Sequence, residues 1–123
     1  MKLLSTFLLV LTFSTQIISQ DKGDEQIEYL RSLHKNKEYD KVISFKPKKN
    51  VGWNSKSLYY VGMSYYMKYD DPNTLKYLNK AIEMGPEDHD MHYYKGKTLF
   101  YMENYKDALP EFHKAIELKS DEP

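Results

Sequence analysis

The decapeptide NKAIEMGPED at residues 79–88 recurs, with changes, as HKAIELKSDE at residues 113–122. The two segments are offset by 34 residues, and identities continue at the same offset well outside them. The matching pairs are Tyr59 and Tyr93, Tyr60 and Tyr94, Gly62 and Gly96, Leu75 and Leu109, Lys80 and Lys114, Ala81 and Ala115, Ile82 and Ile116, and Glu83 and Glu117. A fixed period of this length is typical of stacked supersecondary units that bury their apolar faces on one another.

Apolar residues within each copy recur at helical spacing. The later copy has one such stripe, formed by Ala108, Leu109, Phe112, Ala115 and Ile116, and the earlier copy has Leu75, Leu78, Ala81 and Ile82 in register. A further helix is predicted ahead of each stripe, at residues 57–68 and 89–102. Each copy is therefore predicted to be a pair of antiparallel helices.

The breaks between these helices contain residues that start or stop a helix. Asp71 is predicted to cap the second helix of the earlier copy, with Pro72 in its first turn. Gly85 and Pro86 are predicted to end that helix. In the later copy Asn104 is predicted to cap the helix that runs to residue 119.

Small residues occupy matching positions in the two copies. Gly62 and Gly96 have no Cβ, and Ala81 and Ala115 have only a methyl group. We expect the paired helices to cross closely at these residues, because larger side chains would hold the backbones apart. A large side chain at any of them is expected to cost about 1–3 kcal/mol through overpacking.

Taken together, the residues resemble the tetratricopeptide repeat, whose pattern is W-x2-L-G-x2-Y, then A-x3-F-x2-A and a late proline. The earlier copy matches this pattern with Leu58, Val61, Gly62, Tyr65, Thr74, Leu78, Ala81 and Pro86, and the later copy with His92, Lys95, Gly96, Leu99, Ala108, Phe112, Ala115 and Ser120. Leu58 or His92 stands in the tryptophan slot, and Ser120 replaces the proline. The resemblance implies a right-handed α-solenoid of helix-turn-helix repeats.

A degenerate copy, called the first copy below, precedes these two. Leu30 stands there in place of the glycine, which predicts looser packing. Helices are predicted at about 24–36 and 38–46, and Pro47 ends the second one early. The fold prediction is therefore an all-α, right-handed α-solenoid of about three tetratricopeptide-like repeats, at about 23–54, 55–88 and 89–122, in one domain of residues 20–123.

The first 19 residues have the features of a secretory signal peptide. Lys2 is followed by an apolar run and a polar exit, and cleavage is predicted after Ser19 or, alternatively, after Gln20. The apolar run is short for a membrane span, which needs about 20 residues, although an uncleaved anchor is an alternative. The absence of cysteine excludes disulfides and a lipid-modified cysteine. We predict a periplasmic or secreted protein that has no stable membrane insertion once the leader is removed.

The charge balance and the motifs argue against several functions. The 123 residues include 18 Lys plus Arg and 18 Asp plus Glu, so no net field favours nucleic acid. No nucleophile with a plausible base and no glycine-rich phosphate loop occurs, which argues against an enzyme and against a cofactor. The basic run KPKK at residues 46–49 is typical of a solvated loop.

The tetratricopeptide resemblance implies that the first helix of each unit lines the concave face of the array. The side chains expected there, called the inner face below, are Lys56, Tyr59, Tyr60, Met63, Tyr66, Met67, Tyr93, Tyr94, Lys97, Phe100 and Tyr101. We predict that this face binds a peptide or protein partner, since aromatic residues exceed what a three-repeat core buries. The alternative is that half of these rings belong to the core. The positions at which some family members clamp a terminal carboxylate hold Ile27, Arg31, Tyr60 and Asp90 here, so no such clamp is predicted.

Two other functions remain open. No capping helix follows the last predicted helix, so Leu109, Phe112 or Ile116 is expected to be exposed and to favour self-association, a partner or a continuation of the array. His89 and His92, with Asp88 or Asp90, are a weaker candidate for a metal site, because acids are typical of a helix start and His92 stands in a core slot. A structural self-associating protein and a metal-binding envelope protein are therefore the alternatives to peptide binding.

Overall fold

The computed structural model describes residues 2–121, without the side chains of residues 2–14, 18 and 19. Every regular element within residues 2–121 is an α-helix. The helices are α1 (Lys2–Lys35), α2 (Tyr39–Ile43), α3 (Ser55–Met67), α4 (Asp71–Met84), α5 (His89–Tyr101) and α6 (Tyr105–Ser120). The predicted all-α class is confirmed.

The N-terminal part departs from the prediction. α1 contains the predicted helix at 24–36 but begins at Lys2, and the predicted helix at 38–46 is only Tyr39–Ile43. α2 ends with Ser44 as its C-cap, three residues before Pro47. Proline disfavours a helical conformation only at the residue directly before it, Lys46, so the helix ends earlier than Pro47 alone predicts. The predicted signal peptide at residues 1–19 falls largely on residues whose side chains are outside the described set, and it stays a prediction. A search of the described residues finds no helix that is long and apolar enough to cross a membrane.

Neighbouring helices pack against one another along the chain. α3 packs on α4 and α5 packs on α6, while α4 also contacts α5. α1 and α2 contact each other and α3, and α3 touches α5. Only residues 68–70 separate α3 from α4 and only residues 102–104 separate α5 from α6, so each pair is an antiparallel hairpin, as predicted.

The same turn follows three of the helices. Lys37, Tyr69 and Glu103 have left-handed backbones, with φ of 61°, 59° and 61°. The next residue of each turn donates its N–H to a carbonyl five residues earlier, from Glu38 to Leu33 at 2.9 Å, from Asp70 to Tyr65 at 3.1 Å and from Asn104 to Leu99 at 2.9 Å. This is the Schellman arrangement, which satisfies carbonyls that the end of a helix leaves free. The turn after α1 therefore matches the turns inside the two clear repeats.

The caps follow these turns, with one correction to the prediction. Asp70, and not Asp71, caps α4, because its carboxylate accepts the free N–H of Asn73 at 3.2 Å while Asp71 is already helical. Asn104 caps α6 as predicted, accepting from the Asp107 N–H. α4 ends at Met84 as predicted, and Gly85 follows with φ of 57°, which glycine adopts without a steric penalty.

The predicted close crossings are present in both hairpins. A Cβ on Gly62 would lie 3.2 Å from Leu78 Cδ2, and Ala81 is buried beside Leu78 in the same cluster. In the first copy Leu30 stands where the other copies have glycine, and it is fully buried against Leu33, Val42 and Val61. The looser packing expected at Leu30 stays a prediction.

Candidate functional site

The inner-face residues are all carried by α3 and α5, which touch directly. Ring contacts join them across the two helices, with the Tyr66 and Tyr94 centroids 5.2 Å apart in an edge-on arrangement. On each helix a tyrosine pair continues the row, since Tyr59 contacts Tyr60 at 5.4 Å and Tyr93 contacts Tyr94 at 5.2 Å. Ring contacts therefore run from Tyr66 on α3 to Tyr94 and Tyr93 on α5, with a separate tyrosine pair, Tyr59 and Tyr60, on α3.

Part of this surface belongs to the core. Tyr59 and Met63, one helical turn apart on α3, are buried against Leu78 and Met91. Burial raises the pKa of the Tyr59 hydroxyl well above its ordinary value. Lys56 covers this end of the face, with its ammonium 4.8 Å from the Tyr59 ring centroid and 2.8 Å from an Asp88 carboxylate oxygen. Neither Tyr59 nor Met63 is available to a partner.

The remaining members lie at or near the surface. Tyr60, Tyr66, Tyr94 and Lys97 are half-buried, whereas Met67, Tyr93, Phe100 and Tyr101 are exposed. The exposed residues are concentrated towards the C-terminal ends of α3 and α5. A cavity of about 370 Å³ lies at this end, lined by Tyr66, Met67, Tyr69, Asp71 and Tyr101.

Sequence reasoning did not assign Tyr69 or Asp71 to the site. Tyr69 stands in the turn between α3 and α4, outside the helical stripes from which the inner face was predicted. It is 91% exposed and has a left-handed backbone. A bulky ring at such a position is unusual, because glycine and asparagine favour it, and the sequence pattern held no signal for this conformation at Tyr69.

Lys97 is at the centre of the accessible part. Its ammonium lies 5.7, 5.5, 5.8 and 5.9 Å from the ring centroids of Tyr66, Tyr93, Tyr94 and Tyr101, respectively. Hydrogen bonding to Tyr66 raises the pKa of the Lys97 ammonium. Burial raises the pKa of the Tyr66 hydroxyl, although Lys97 acts in the opposite direction. The hydrogen bond to Tyr66 therefore favours the charged form of Lys97 within this cluster.

α1 adds a polar edge to the inner face. Arg31 Nε donates to the Tyr60 hydroxyl at 2.9 Å, and the same guanidinium pairs with Glu28 at 2.5 Å. His34 lies behind Tyr60, 3.1 Å from the Ser64 hydroxyl. Burial lowers the pKa of His34, which favours the neutral ring there.

His92 is held by two carboxylates on the other side of α5. Its ring is 7% exposed, with Nδ1 2.6 Å from Glu111 Oε2 and Nε2 2.8 Å from Glu87 Oε2. Lys95 pairs with Glu111 at 2.5 Å, and Lys114 lies 3.7 Å from Glu87. Both ring nitrogens are thus occupied by side chains of the chain itself. Among the residues that the structure describes, no group of three potential ligands is arranged to hold a metal ion.

α6 leaves a second apolar surface open. Leu109 is 58% exposed and Ile116 is 68% exposed. A cavity of about 450 Å³ beside Ile116 is lined by Tyr93, Phe112, Ala115 and Lys119, with His89 and Asp90 at its rim. The expected exposure is confirmed for Leu109 and Ile116, whereas Phe112 is half-buried against α5.

Comparisons with known proteins do not add a family to these observations. A scan against protein-family models finds no model that matches the chain, and a search of curated proteins finds no significant relative. The tetratricopeptide resemblance therefore depends on the repeat period and on the residues that carry it.

Proposed function

We propose that this chain is an exported, non-enzymatic adaptor, built as a right-handed stack of three tetratricopeptide-like hairpins, that binds a peptide or protein segment on its inner face. The 34-residue period and the matching close crossings at Gly62 and Gly96 support the repeat assignment. The turn that recurs after α1, α3 and α5 supports the same repeat assignment for the first copy.

The observation that carries the binding proposal is the exposed aromatic end of the inner face. Tyr93 and Tyr101 are exposed beside Lys97. Exposed Met67 lines the cavity next to Tyr101, and exposed Phe100 contacts the Tyr101 ring. Contiguous apolar surface of this kind marks interaction sites in soluble proteins, and tyrosine offers both ring area and a hydroxyl to a partner. Because these residues stand on paired helices, little conformational entropy opposes binding.

Selection from a random 12-residue peptide library displayed on phage tests this proposal. The wild-type protein is expected to enrich peptides that bind in the micromolar range by fluorescence anisotropy. Binding should be lost in the double variant Tyr93→Ser/Tyr101→Ser, whose folding is checked by circular dichroism. Tyr29→Ser is the matched control, because Tyr29 is equally exposed but contacts Phe45 instead. Equal binding by both variants would contradict the proposal.

The export part of the proposal is supported by the leader-like residues 1–19. It is tested by expressing the full chain with a C-terminal tag in an export-competent host and measuring the mass of the product. A product that begins at Gln20 or Asp21 outside the cytoplasm is expected. Full-length protein retained in the cytoplasm would contradict it.

A structural, self-associating role is the second candidate function, and the exposed face of α6 favours it. Leu109 and Ile116 are more exposed than most aliphatic side chains on a soluble protein. Burying them against a second copy would remove this surface from water. The two candidate surfaces meet at Tyr93, which belongs to the inner face and also lines the cavity beside Ile116.

A further inference from the structure

Lys97 differs from the other cations near the inner face in its partners. Arg31 pairs with Glu28 at 2.5 Å and Lys56 pairs with Asp88 at 2.8 Å. For Lys97, no carboxylate of the described part of the chain lies within ion-pair distance, and its neighbours are four tyrosine rings. The positive charge of Lys97 is therefore not neutralised within the described fold.

The tyrosines stabilise this charge without neutralising it. A cation over an aromatic ring gains about 0.5–2 kcal/mol, and the Tyr66 hydroxyl accepts a hydrogen bond from Lys97, but an ammonium has three N–H donors. A carboxylate that reached Lys97 would form a charge-assisted hydrogen bond, which is about twice as strong as a neutral one.

The cavity beside Tyr69 restricts which peptide side chain can lie next to a carboxylate bound at Lys97. Its aromatic and thioether walls, from Tyr66, Met67, Tyr69 and Tyr101, suit a bulky apolar side chain. Asp71 stands at its rim and would repel a second carboxylate placed there. The charge pattern of the site is thus positive at Lys97 and negative at Asp71.

We propose that the inner face selects peptide segments in which an aspartate or glutamate lies next to a bulky apolar residue, with the carboxylate on Lys97 and the apolar side chain in the cavity beside Tyr69. This inference rests on the proposed function, because it names the chemistry of the partner for the same site. It concerns an internal acidic side chain, whereas the positions of a terminal carboxylate clamp hold other residues here.

The phage-displayed library provides the test, with parallel selections on four proteins. The wild type and Lys106→Met are expected to enrich Asp or Glu beside an apolar residue. Lys106 is the matched control because it is an exposed lysine on α6, away from the inner face. Lys97→Met, which keeps an apolar stem, should lose the acidic preference, and Lys97→Arg should retain it.

Fluorescence anisotropy then measures the interaction between the peptide carboxylate and Lys97. It compares a selected peptide with its Glu→Gln or Asp→Asn version. The neutral peptide is expected to bind wild type about tenfold more weakly, as a charge-assisted contact predicts. Both peptides should bind Lys97→Met alike, which completes a double-mutant cycle. Raising the salt concentration should weaken only the acidic peptide on wild type.

The outcomes separate this inference from the proposed function. If Tyr93 and Tyr101 are needed for binding but the peptides show no acidic preference, the role of Lys97 is refuted and peptide binding stands. If the acidic preference persists unchanged in Lys97→Met, the anchor lies elsewhere and the inference is again refuted. If no peptide binds in a way that depends on the inner face, both proposals fail together.

Discussion

The Phe112 ring lies directly on the backbone of Gly96, so that a Cβ at Gly96 would stand 2.9 Å from Phe112 Cε1. This contact joins α5 to α6. Real Cβ atoms are essentially never found so close to another heavy atom, so a side chain at residue 96 would force the Phe112 ring to shift from its position against Tyr93. The close packing of α5 on α6 therefore favours glycine at residue 96.

Gly96→Ala is expected to destabilise the protein by about 1–3 kcal/mol, because the added methyl group overpacks the α5–α6 interface. Chemical denaturation followed by circular dichroism measures the change. Gly23→Ala is the matched control, since it adds the same methyl group to a helix where the nearest atom, Asn54 Nδ2, is 3.7 Å away. The control should be neutral or up to about 1 kcal/mol more stable. Equal stability of the two variants would contradict the role of Gly96.

Glu103→Gly is expected to stabilise the protein by up to about 1 kcal/mol. Glu103 holds a left-handed backbone with φ of 61° in the turn before α6, and only glycine adopts this conformation without a steric penalty. The greater freedom of glycine in the unfolded chain offsets part of the gain. Glu103→Ala separates backbone from side chain, because it removes the carboxylate and keeps the strain. If both variants raise the denaturation midpoint equally, the effect comes from charge and not from the turn.

We expect the free energy of unfolding to depend on pH below the ordinary pKa of Glu87. The hydrogen bond to His92 lowers the pKa of Glu87 from its ordinary 4.5, so the folded state favours the carboxylate. The resulting stability is fully present above pH 4.5 and is lost as pH falls through the lower pKa of the folded state. Denaturant midpoints between pH 7 and pH 3 should therefore converge for wild type and Glu87→Gln at the acid end.

The control for this pH dependence is Glu83→Gln, which removes an exposed carboxylate from α4. Its denaturant midpoint, plotted against pH, should run parallel to that of wild type over the acid range in which the midpoints of Glu87→Gln and wild type converge. A Glu87→Gln curve that also runs parallel to wild type would show that the contact with His92 does not favour the charged form.

The hairpins of residues 55–121 could be predicted because their determinants are local. Periodicity located α3 to α6 within two residues, and the glycines marked where helices cross. The error at the start of α4 has a simple cause. Two aspartates precede Pro72, and the choice of Asp70 over Asp71 depends on the turn at Tyr69, whose left-handed backbone a sequence pattern does not specify.

The division of the inner face into core and surface could not be predicted in the same way. Tyr59 and Tyr60 are neighbours of identical chemistry, yet Tyr59 is buried and Tyr60 is only half-buried. Adjacent residues differ by about 100° around a helix axis, so a small rotation of α3 decides which ring enters the core. That rotation is set by packing on α4 and also on α1 and α5, which are not adjacent to α3 in the sequence.

The pairing of His92 with Glu87 and Glu111 was also beyond sequence reasoning. Glu111 lies on the neighbouring helix, 19 residues away. A sequence pattern predicts that a carboxylate on the polar side of an amphipathic helix is solvated. The tryptophan slot of the family pattern predicted that residue 92 is buried, and this is confirmed. A buried histidine needs polar partners, which was the signal for a search among nearby acids.

Ile116→Asp is expected to abolish self-association if the exposed face of α6 forms an interface between copies. A charge at a position that is 68% exposed in the single chain costs little in the monomer but much in a desolvated interface. Light scattering after size exclusion, over a concentration series, should give a dimer for wild type and a monomer for the variant. Lys119→Asp, at an exposed and already charged residue that lines the same cavity, should weaken the dimer less because solvent-accessible charges at an interface contribute little. A wild-type monomer at every concentration would rule out self-association, and it would leave the α6 face free for a different protein.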